Sequence, residues 1–299
     1  MRDGIILIDK PSGVSSAGVV ARVKRTLNAA RVGHAGTLDP DATGLLIILV
    51  NGATRVASYA ADGSKVYSGE IQLGITTSTD DLAGEVLSER VVDSSLDDVL
   101  RVAAGLTGTI DQVPPRVSAK KVGGKRAYRM ERAGESFELA ARRCVVSRFE
   151  VESSMTTPSR VRYRVEVSPG TYVRALARDL GERLGCGAAV ASIRRERSGF
   201  FCVDDAIGLS SVSWERVVDW GALVPELPRI GLSREIVQGL IRGQKWALVE
   251  AWGAWSRLGV ELSSAHVVYH ASDSLDSLGI LKVLPEGQGF GFGLNITQT

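Results

Sequence analysis

Six apolar residues in unbroken succession, Leu45-Leu46-Ile47-Ile48-Leu49-Val50, limit what this chain can fold into more than any other stretch. Their number and branching suit a strand buried on both faces better than a helix. Ahead of them stands Gly33-His34-Ala35-Gly36-Thr37-Leu38-Asp39-Pro40-Asp41-Ala42-Thr43-Gly44. Pro40 biases Asp39 toward extended backbone, and Gly33, Gly36 and Gly44 permit turns or close backbone approach. One carboxylate, Asp39, is thereby held in a fixed pose before a rigid strand. Spacing alone also admits an ordinary Gly-rich turn whose Asp caps a helix or closes an Asx turn.

With 299 residues, 44% of them hydrophobic and 23% charged, the chain can bury a sizeable core in one large domain and one small one. No apolar run approaches the roughly 20 residues that span a bilayer, and the apolar run near the N-terminus is too short for a secretory signal. The reading is a soluble, unexported, cytoplasmic protein. Cys144, Cys186 and Cys202 are odd in number and widely spaced, which fits a reducing compartment rather than a disulfide framework. His266 and His270 would share a face on a helix, but without a neighbouring Glu or Cys they suggest no metal site. Neither a Walker A nor a Rossmann fingerprint is present, so no cofactor is expected.

Charge balances globally, 36 basic against 34 acidic residues, yet it is unevenly placed. Residues 113–148 hold ten basic side chains and three acidic ones, and residues 158–197 hold nine arginines and four acids. A solvated charged face is one explanation of such a run, and neutralisation of phosphates is the other. The Gly123-Gly124 turn favours the second, because it would present Lys120, Lys121, Lys125, Arg126, Arg129 and Arg132 on a projecting loop over 113–134.

Periodicity gives the rest of the organisation. A strand is expected over 5–8, then a helix capped by Ser15 or Ser16 through Asn28 with Val19, Val20, Val23 and Leu27 on one face. Strands are expected over 66–73, 142–150 and 160–167. Helices are expected over 93–106 and over 171–184, the latter stopped by Gly185, and residues 80–85 read as an acidic connection. This mixed order predicts an α/β-mixed domain around one large sheet. Charge pattern changes near Pro225 and Trp246, Trp252 and Trp255 cluster beyond it, so residues 1–224 and 225–299 are expected as two domains. Short β-like runs at 267–269 and 280–284 belong to the second, while the four glycines of 287–293 predict fraying.

The ordered string from Gly33 to Leu46 resembles the GH(A/T)G(T/A)LDPxATG signature of bacterial tRNA pseudouridine synthases of the TruB type. Other segments resemble motifs of the same family. Asp9-Lys10-Pro11-Ser12-Gly13 is similar to DKPxG, Lys65-Val66-Tyr67 to KxY, and Gly170-Thr171-Tyr172-Val173-Arg174 to GTYIR. Ile193-Arg194-Arg195 fits with Ile193 in place of the usual leucine, and the segment from Pro114 to Tyr128 resembles a loop that closes over RNA, with Val117 where an aromatic is common. The likeness covers roughly residues 4 to 200.

The resemblance implies an α+β pseudouridine synthase fold with a large mixed, mainly antiparallel sheet and flanking helices, plus a small C-terminal β-rich PUA-like domain. It implies isomerisation of the T-loop uridine at tRNA position 55, with the T-arm stem-loop as partner, no guide RNA, no membrane and a monomeric enzyme. Asp39 would act as covalent nucleophile or as base on the sugar, two routes the sequence does not separate. Arg174 would pair with Asp39. Tyr67 would stack on the base and relay its C5 proton. His34, Leu38, Lys10, Tyr172 and Ile193 would shape the base pocket, His34 beside the flipped nucleotide. A guanidinium suits this duty because burial alone would raise a carboxyl pKa, and Arg opposes that shift while fixing both oxygens.

Overall fold

The computed structural model describes residues 3–118, 121–122, 124–133, 135–153, 159–259, 266–274, 276–284 and 289–296. The apolar run lies in a strand, Thr43–Val50, buried from Gly44 onward. Counting Gly4–Lys10 as β1 and Thr43–Val50 as β2, the larger sheet continues through Lys65–Leu73 (β3), Gly108–Gln112 (β4), Arg142–Ser153 (β5), Arg160–Val167 (β6) and Ala188–Ser198 (β7). Their order across the sheet is β1-β2-β7-β3-β6-β5-β4, with Val32–Ala35 paired to β2 and Phe201–Cys202 to β7. Neighbours on this path run antiparallel, except that β2 and β7 meet in parallel where Arg194 faces Thr43 and Arg195 faces Gly44.

Double burial of β2 follows from its side chains feeding two cores. Leu46, Ile48 and Val50 pack with Val19, Val23 and Leu27 of helix α1 (Ser16–Leu27). Leu45, Ile47 and Leu49 pack on the opposite face with Trp220, Leu223, Val268 and Ile280. Alternation along a strand sends successive residues to opposite faces, so an unbroken apolar run is what two cores require. Ser15 caps α1 by accepting the Gly18 N–H, and Asn28 ends it in left-handed geometry. Helix α2 (Leu96–Ala104) starts in a capping box between Ser95 and Asp98. Helix α3 (Val173–Leu184) buries Val173, Leu176, Ala177 and Leu180 and stops at Gly185, whose φ is 80°.

A second, four-stranded sheet is formed by Arg229–Leu232 (β8), His266–Ala271 (β9), Ser277–Val283 (β10) and Phe290–Asn295 (β11). Helices α4 (Arg234–Ile241) and α5 (Lys245–Arg257) lie against it. The chain thus carries a C-terminal β-rich portion beyond a large mixed, mainly antiparallel sheet. Trp220 joins the two, its indole N–H donating to the Ser277 carbonyl at 2.7 Å while its ring is fully buried. Fraying does not describe Phe290–Asn295, which pairs along β10 and is held at Phe290 by the edges of Trp252 and Trp255. Glycines at 291 and 293 weaken the strand signal without preventing pairing. His266 and His270 lie on β9, not on a helix, so the shared helical face does not form. His270 Nδ1 lies 2.9 Å from the Ala271 carbonyl and 2.7 Å from that of Ser274, and His266 meets the edge of Tyr59.

Gly44 marks where β2 presses on β7. A Cβ there would stand 2.3 Å from the Arg195 carbonyl oxygen, and its φ is +97°. Gly44→Ala should therefore destabilise the fold by about 2–3 kcal/mol. Gly13→Ala, at φ +80° with open space around it, should cost about 1 kcal/mol. Urea unfolding followed by circular dichroism checks both, and equal midpoints for the two variants would contradict the packing argument.

Candidate active site

The Asp39 loop is pinned from below by β1 and the turn after it. Lys10 is fully buried, and its Nζ donates to the carbonyl oxygens of Pro11, Val14 and Pro40 at 2.9, 2.7 and 2.7 Å. Gly13 N–H donates to the same Pro40 carbonyl at 3.0 Å. Ser16 Oγ both donates to the Leu38 carbonyl and accepts the Leu38 N–H, each at 2.9 Å. Both neighbours of Asp39 are therefore fixed through their backbones. Burial lowers the Lys10 pKa, with Asp41 and Asp39 opposing that shift.

Arg174, on the first turn of α3, closes over the loop from the other side. Its Nε lies 3.0 Å from Asp39 Oδ2, with the Arg174 side chain 7% exposed and that of Asp39 45% exposed. The remaining nitrogens are also engaged. Nη1 donates to the Thr79 carbonyl at 2.7 Å and lies 3.4 Å from Asp81 Oδ2, and Nη2 donates to the Val117 carbonyl at 3.0 Å. Sequence reasoning read 80–85 only as an acidic connection. The structure makes it a bracket: Asp80 takes a φ of 60°, Asp81 accepts from Thr79 Oγ1 and the Ala83 N–H, and Arg178 reaches Asp80 at 3.1 Å. A Thr/Asp cluster in a turn was the available signal.

Asp39 and Arg174 border a cavity of about 410 Å³, a volume that suits a small organic group. Leu38, Tyr67, Tyr172 and Ile193 line it with them, so six of the residues singled out from the sequence come together. Lys10 and His34 do not line it. Lys10 acts through the backbone it holds. His34 is half-buried with its Nδ1 unpartnered among the described residues, and burial followed by the Arg195 charge lowers its pKa. Tyr172 is held through its backbone by the buried Gln112, which accepts its N–H at 2.8 Å and donates to its carbonyl at 3.1 Å. Gln112 carried no signal in the sequence.

Three further cations line the cavity, the exposed Arg142 and the buried Lys65 and Arg195. Arg195 is 1% exposed; its Nε donates to the Leu45 carbonyl at 2.7 Å and its Nη2 to the Gly36 carbonyl at 3.1 Å. Lys65 is 7% exposed, and its Nζ donates to the carbonyls of Ala61 and Gly63, each at 2.8 Å. Burial, then the Arg195 charge, brings its pKa down to about 8. Arg194 points the other way and binds Asp9 through both carboxylate oxygens, at 3.0 and 2.9 Å. Ser118 also lines the cavity, its buried Oγ unpartnered among the described residues.

Of the basic residues expected to bind RNA, Lys120 lies outside the described residues. The side chains of Lys121, Lys125, Arg126, Arg129 and Arg132 lie outside them as well. The base of that segment is anchored: Arg116 pairs with Glu131 at 2.9 Å and covers the Phe137 ring at 4.7 Å. Among the described residues no group of three or more His, Cys, Asp or Glu side chains could hold a metal ion. No helix is long and apolar enough to cross a membrane.

Residues 24–173 match the family described as TruB family pseudouridylate synthase (N terminal domain), and residues 174–230 match the tRNA pseudouridylate synthase B C-terminal domain. A tRNA pseudouridine synthase B of Thermobifida fusca is 48% identical over 227 residues, covering 73% of this chain and 77% of that protein. One of Mycobacterium leprae is 42% identical over 281 residues, covering 91% and 84%. In fold the chain is similar to a structure titled Crystal Structure of a Cbf5-Nop10-Gar1 Complex, with a TM-score of 0.67 at 23% identity, covering 99% of this chain and 84% of that one.

Lys65 gives a direct reading of the cavity's interior. Its pKa is about 8 in the folded chain against a model-compound value of 10.5, so the unfolded chain holds more protons between those values. This group therefore adds stability as pH rises through that window. The denaturation midpoint of the wild type should climb relative to Lys65→Met from pH 8 to 10.5, and a constant difference would show an unperturbed lysine.

Proposed function

The chain belongs to the TruB family of pseudouridylate synthases, and from that premise we propose how its cavity carries out the reaction. The protein isomerises uridine to pseudouridine in tRNA. We assign the target to the T-loop uridine at position 55, reached on the T-arm stem-loop without a guide RNA. The basic segment 113–134 supports this reading, since its lysines and arginines can neutralise tRNA phosphates directly, a hold on the substrate that base pairing to a guide would otherwise supply. We divide the chain into a catalytic domain, 1–224, and a small PUA-like RNA-binding domain, 225–299. The four-stranded sheet with α4 and α5 supports that division.

The observation that carries the mechanism is the 3.0 Å pairing of Asp39 with Arg174 at a cavity walled by Tyr67, Tyr172, Leu38 and Ile193. Conversion of uridine breaks the C1′–N1 bond, turns the base and joins C5 to C1′, with loss of the C5 proton, gain of a proton at N1 and no change of oxidation state. Asp39, half-exposed to the cavity, meets the sugar as nucleophile or as base. Arg174 holds that carboxylate in place through its Nε. Tyr67, buried on β3, lies under the base and takes part in removal of the C5 proton. A stacked uridine must first leave its loop. His34, next to the Asp39 loop, fills the space behind it as an uncharged ring.

With tRNA transcript tritiated at uridine C5, the wild type should release tritium without any guide. Asp39→Asn should lose about 10³-fold or more in rate while still binding tRNA. Release by the variant at the wild-type rate, or a need for guide RNA, would refute the assignment. Arg174→Lys keeps the charge but not the forked geometry that reaches Asp39, Asp81 and two carbonyls at once. Its single-turnover rate should fall about 100-fold, and a fall below threefold would show that only charge is needed.

A further inference from the structure

The cavity contains a charge imbalance that the pairing of Asp39 with Arg174 does not explain. Arg174 is shared between two carboxylates. Arg195 is more deeply buried, and among the described residues it pairs with no carboxylate; its hydrogen bonds go to the carbonyls of Leu45 and Gly36. Its Nη1 makes no hydrogen bond among the described residues and points at Gly36, where an added Cβ would stand 3.3 Å away. Lys65 beside it is likewise bonded only to carbonyls. A buried cation without a bonded counter-ion is costly; Asp62 acts on Lys65 only at a distance, and less than burial and Arg195 do, so two such cations on one wall of a substrate cavity call for an anion from the substrate.

We propose that Arg195, assisted by Lys65, is a catalytic residue that holds the uracil ring as an anion after it has left the ribose. This inference rests on the isomerase reading above. When the C1′–N1 bond breaks, its electron pair departs with the base, so the detached uracil carries one negative charge spread over N1, O2 and O4. The electron-poor C1′ is met by Asp39, either by forming a bond to its carboxylate or by losing a sugar proton to it. Reattachment uses the electron pair at C5 to form the C5–C1′ bond, as the Asp39 carboxylate leaves C1′ or returns the sugar proton; the C5 proton then passes to a base, N1 takes up a proton, and the ring is neutral. Nothing is oxidised or reduced.

Depth and register place the base, not a phosphodiester, against Arg195. In a nucleotide the phosphates lie on the opposite side of the ribose from the base. The ribose must meet Asp39, whose side chain is 45% exposed, so the base extends inward and the phosphates stay at the mouth. At the inner wall Arg195 is 1%, Lys65 7% and Tyr67 9% exposed. Arg195 on β7 stands directly opposite Tyr67 on β3, and Lys65 is two residues along the same strand face. All three line the cavity that holds Asp39. The donors left over, on Arg195 Nη1 and the third N–H of Lys65 Nζ, are held in place by the carbonyl bonds of their neighbours, and fixed donors beside a charge that develops during the reaction act as an oxyanion hole does.

The test is single turnover of two tRNA transcripts, one with uridine tritiated at C5 and one with 5-fluorouridine, whose base leaves as a more stable anion. Cleavage of the second is read as disappearance of the 5-fluorouridine nucleoside. Arg195→Gln should bind tRNA within about threefold of wild type and turn over uridine about 100-fold more slowly. With 5-fluorouridine the deficit should shrink below tenfold. Lys65→Met should show the same pattern with a smaller deficit, and it carries the test alone if Arg195→Gln fails to fold by its melting curve. Wild-type rates in either variant, or equal deficits on both substrates, would overturn the proposal, the second outcome marking a structural cross-link. Weakened tRNA binding with a shallower salt dependence would overturn it in favour of a phosphate contact. If the wild type itself releases no tritium, the isomerase reading fails instead.

Discussion

The guanidinium of Arg174 is the interaction on which the site depends, because three separate stretches of chain converge on it. The Asp39 loop, the 77–81 turn and the strand-free segment at Val117 share no sheet hydrogen bonds with one another at this point, yet each contributes an oxygen to one buried side chain. At 4 Å and an effective dielectric of 20, a charge pair is worth about 4 kcal/mol before desolvation is subtracted. Only a cation surrounded by several fixed acceptors offsets its own burial under those terms. Geometry at Asp39 is accordingly set by the whole bracket, and no single contact fixes it.

Lys10 performs the complementary task underneath. Three carbonyls consume its three N–H donors, so its charge is spent on backbone and none is left for a ligand. One of those carbonyls belongs to Pro40, which has no N–H to tie it elsewhere and which also accepts from Gly13. Ser16 repeats the device on Leu38. A loop with glycine at three positions is floppy in isolation, and these few polar contacts convert it into a platform that orders Asp39 before any substrate arrives.

Legibility from sequence followed distance along the chain. Asp39, Tyr67, Tyr172 and Arg174 sit in contiguous strings with local constraints, and the apolar periods around them give β2, β3, β6, α1 and α3 within a few residues. Asp81, Gln112 and Arg195 act through partners 60 to 159 positions away; nothing local marks Gln112, and the Thr/Asp turn around Asp81 and the motif around Arg195 do not show which partners they reach. β7 escaped for a different reason. It carries irregularities in its pairing between Val190 and Ser192 and between Arg195 and Arg197, which break the two-residue period that a strand signal needs. In the C-terminal sheet, glycines at 291 and 293 hid a strand whose apolar anchor, Phe290, only acquires meaning once Trp252 and Trp255 of α5 are folded against it.

Strand alternation then explains how adjacent arginines come to do unrelated work. Arg194 and Arg195 leave β7 on opposite faces. The first finds Asp9 and closes a bidentate pair across to β1; the second turns into the cavity and, among the described residues, bonds to carbonyls alone. Arg174 and Arg195 therefore border one cavity in different electrostatic states, the former paired with two carboxylates and the latter, among the described residues, with none. A site divided in this way presents a paired carboxylate at one end and positive charge without a bonded carboxylate at the other, the two demands that the proposed reaction makes. The separation is enforced by β2, since Leu45 at its start supplies the carbonyl that holds Arg195 while the loop just before it carries Asp39. The apolar run that fixes the fold thus also sets the spacing between the two charged ends of the cavity.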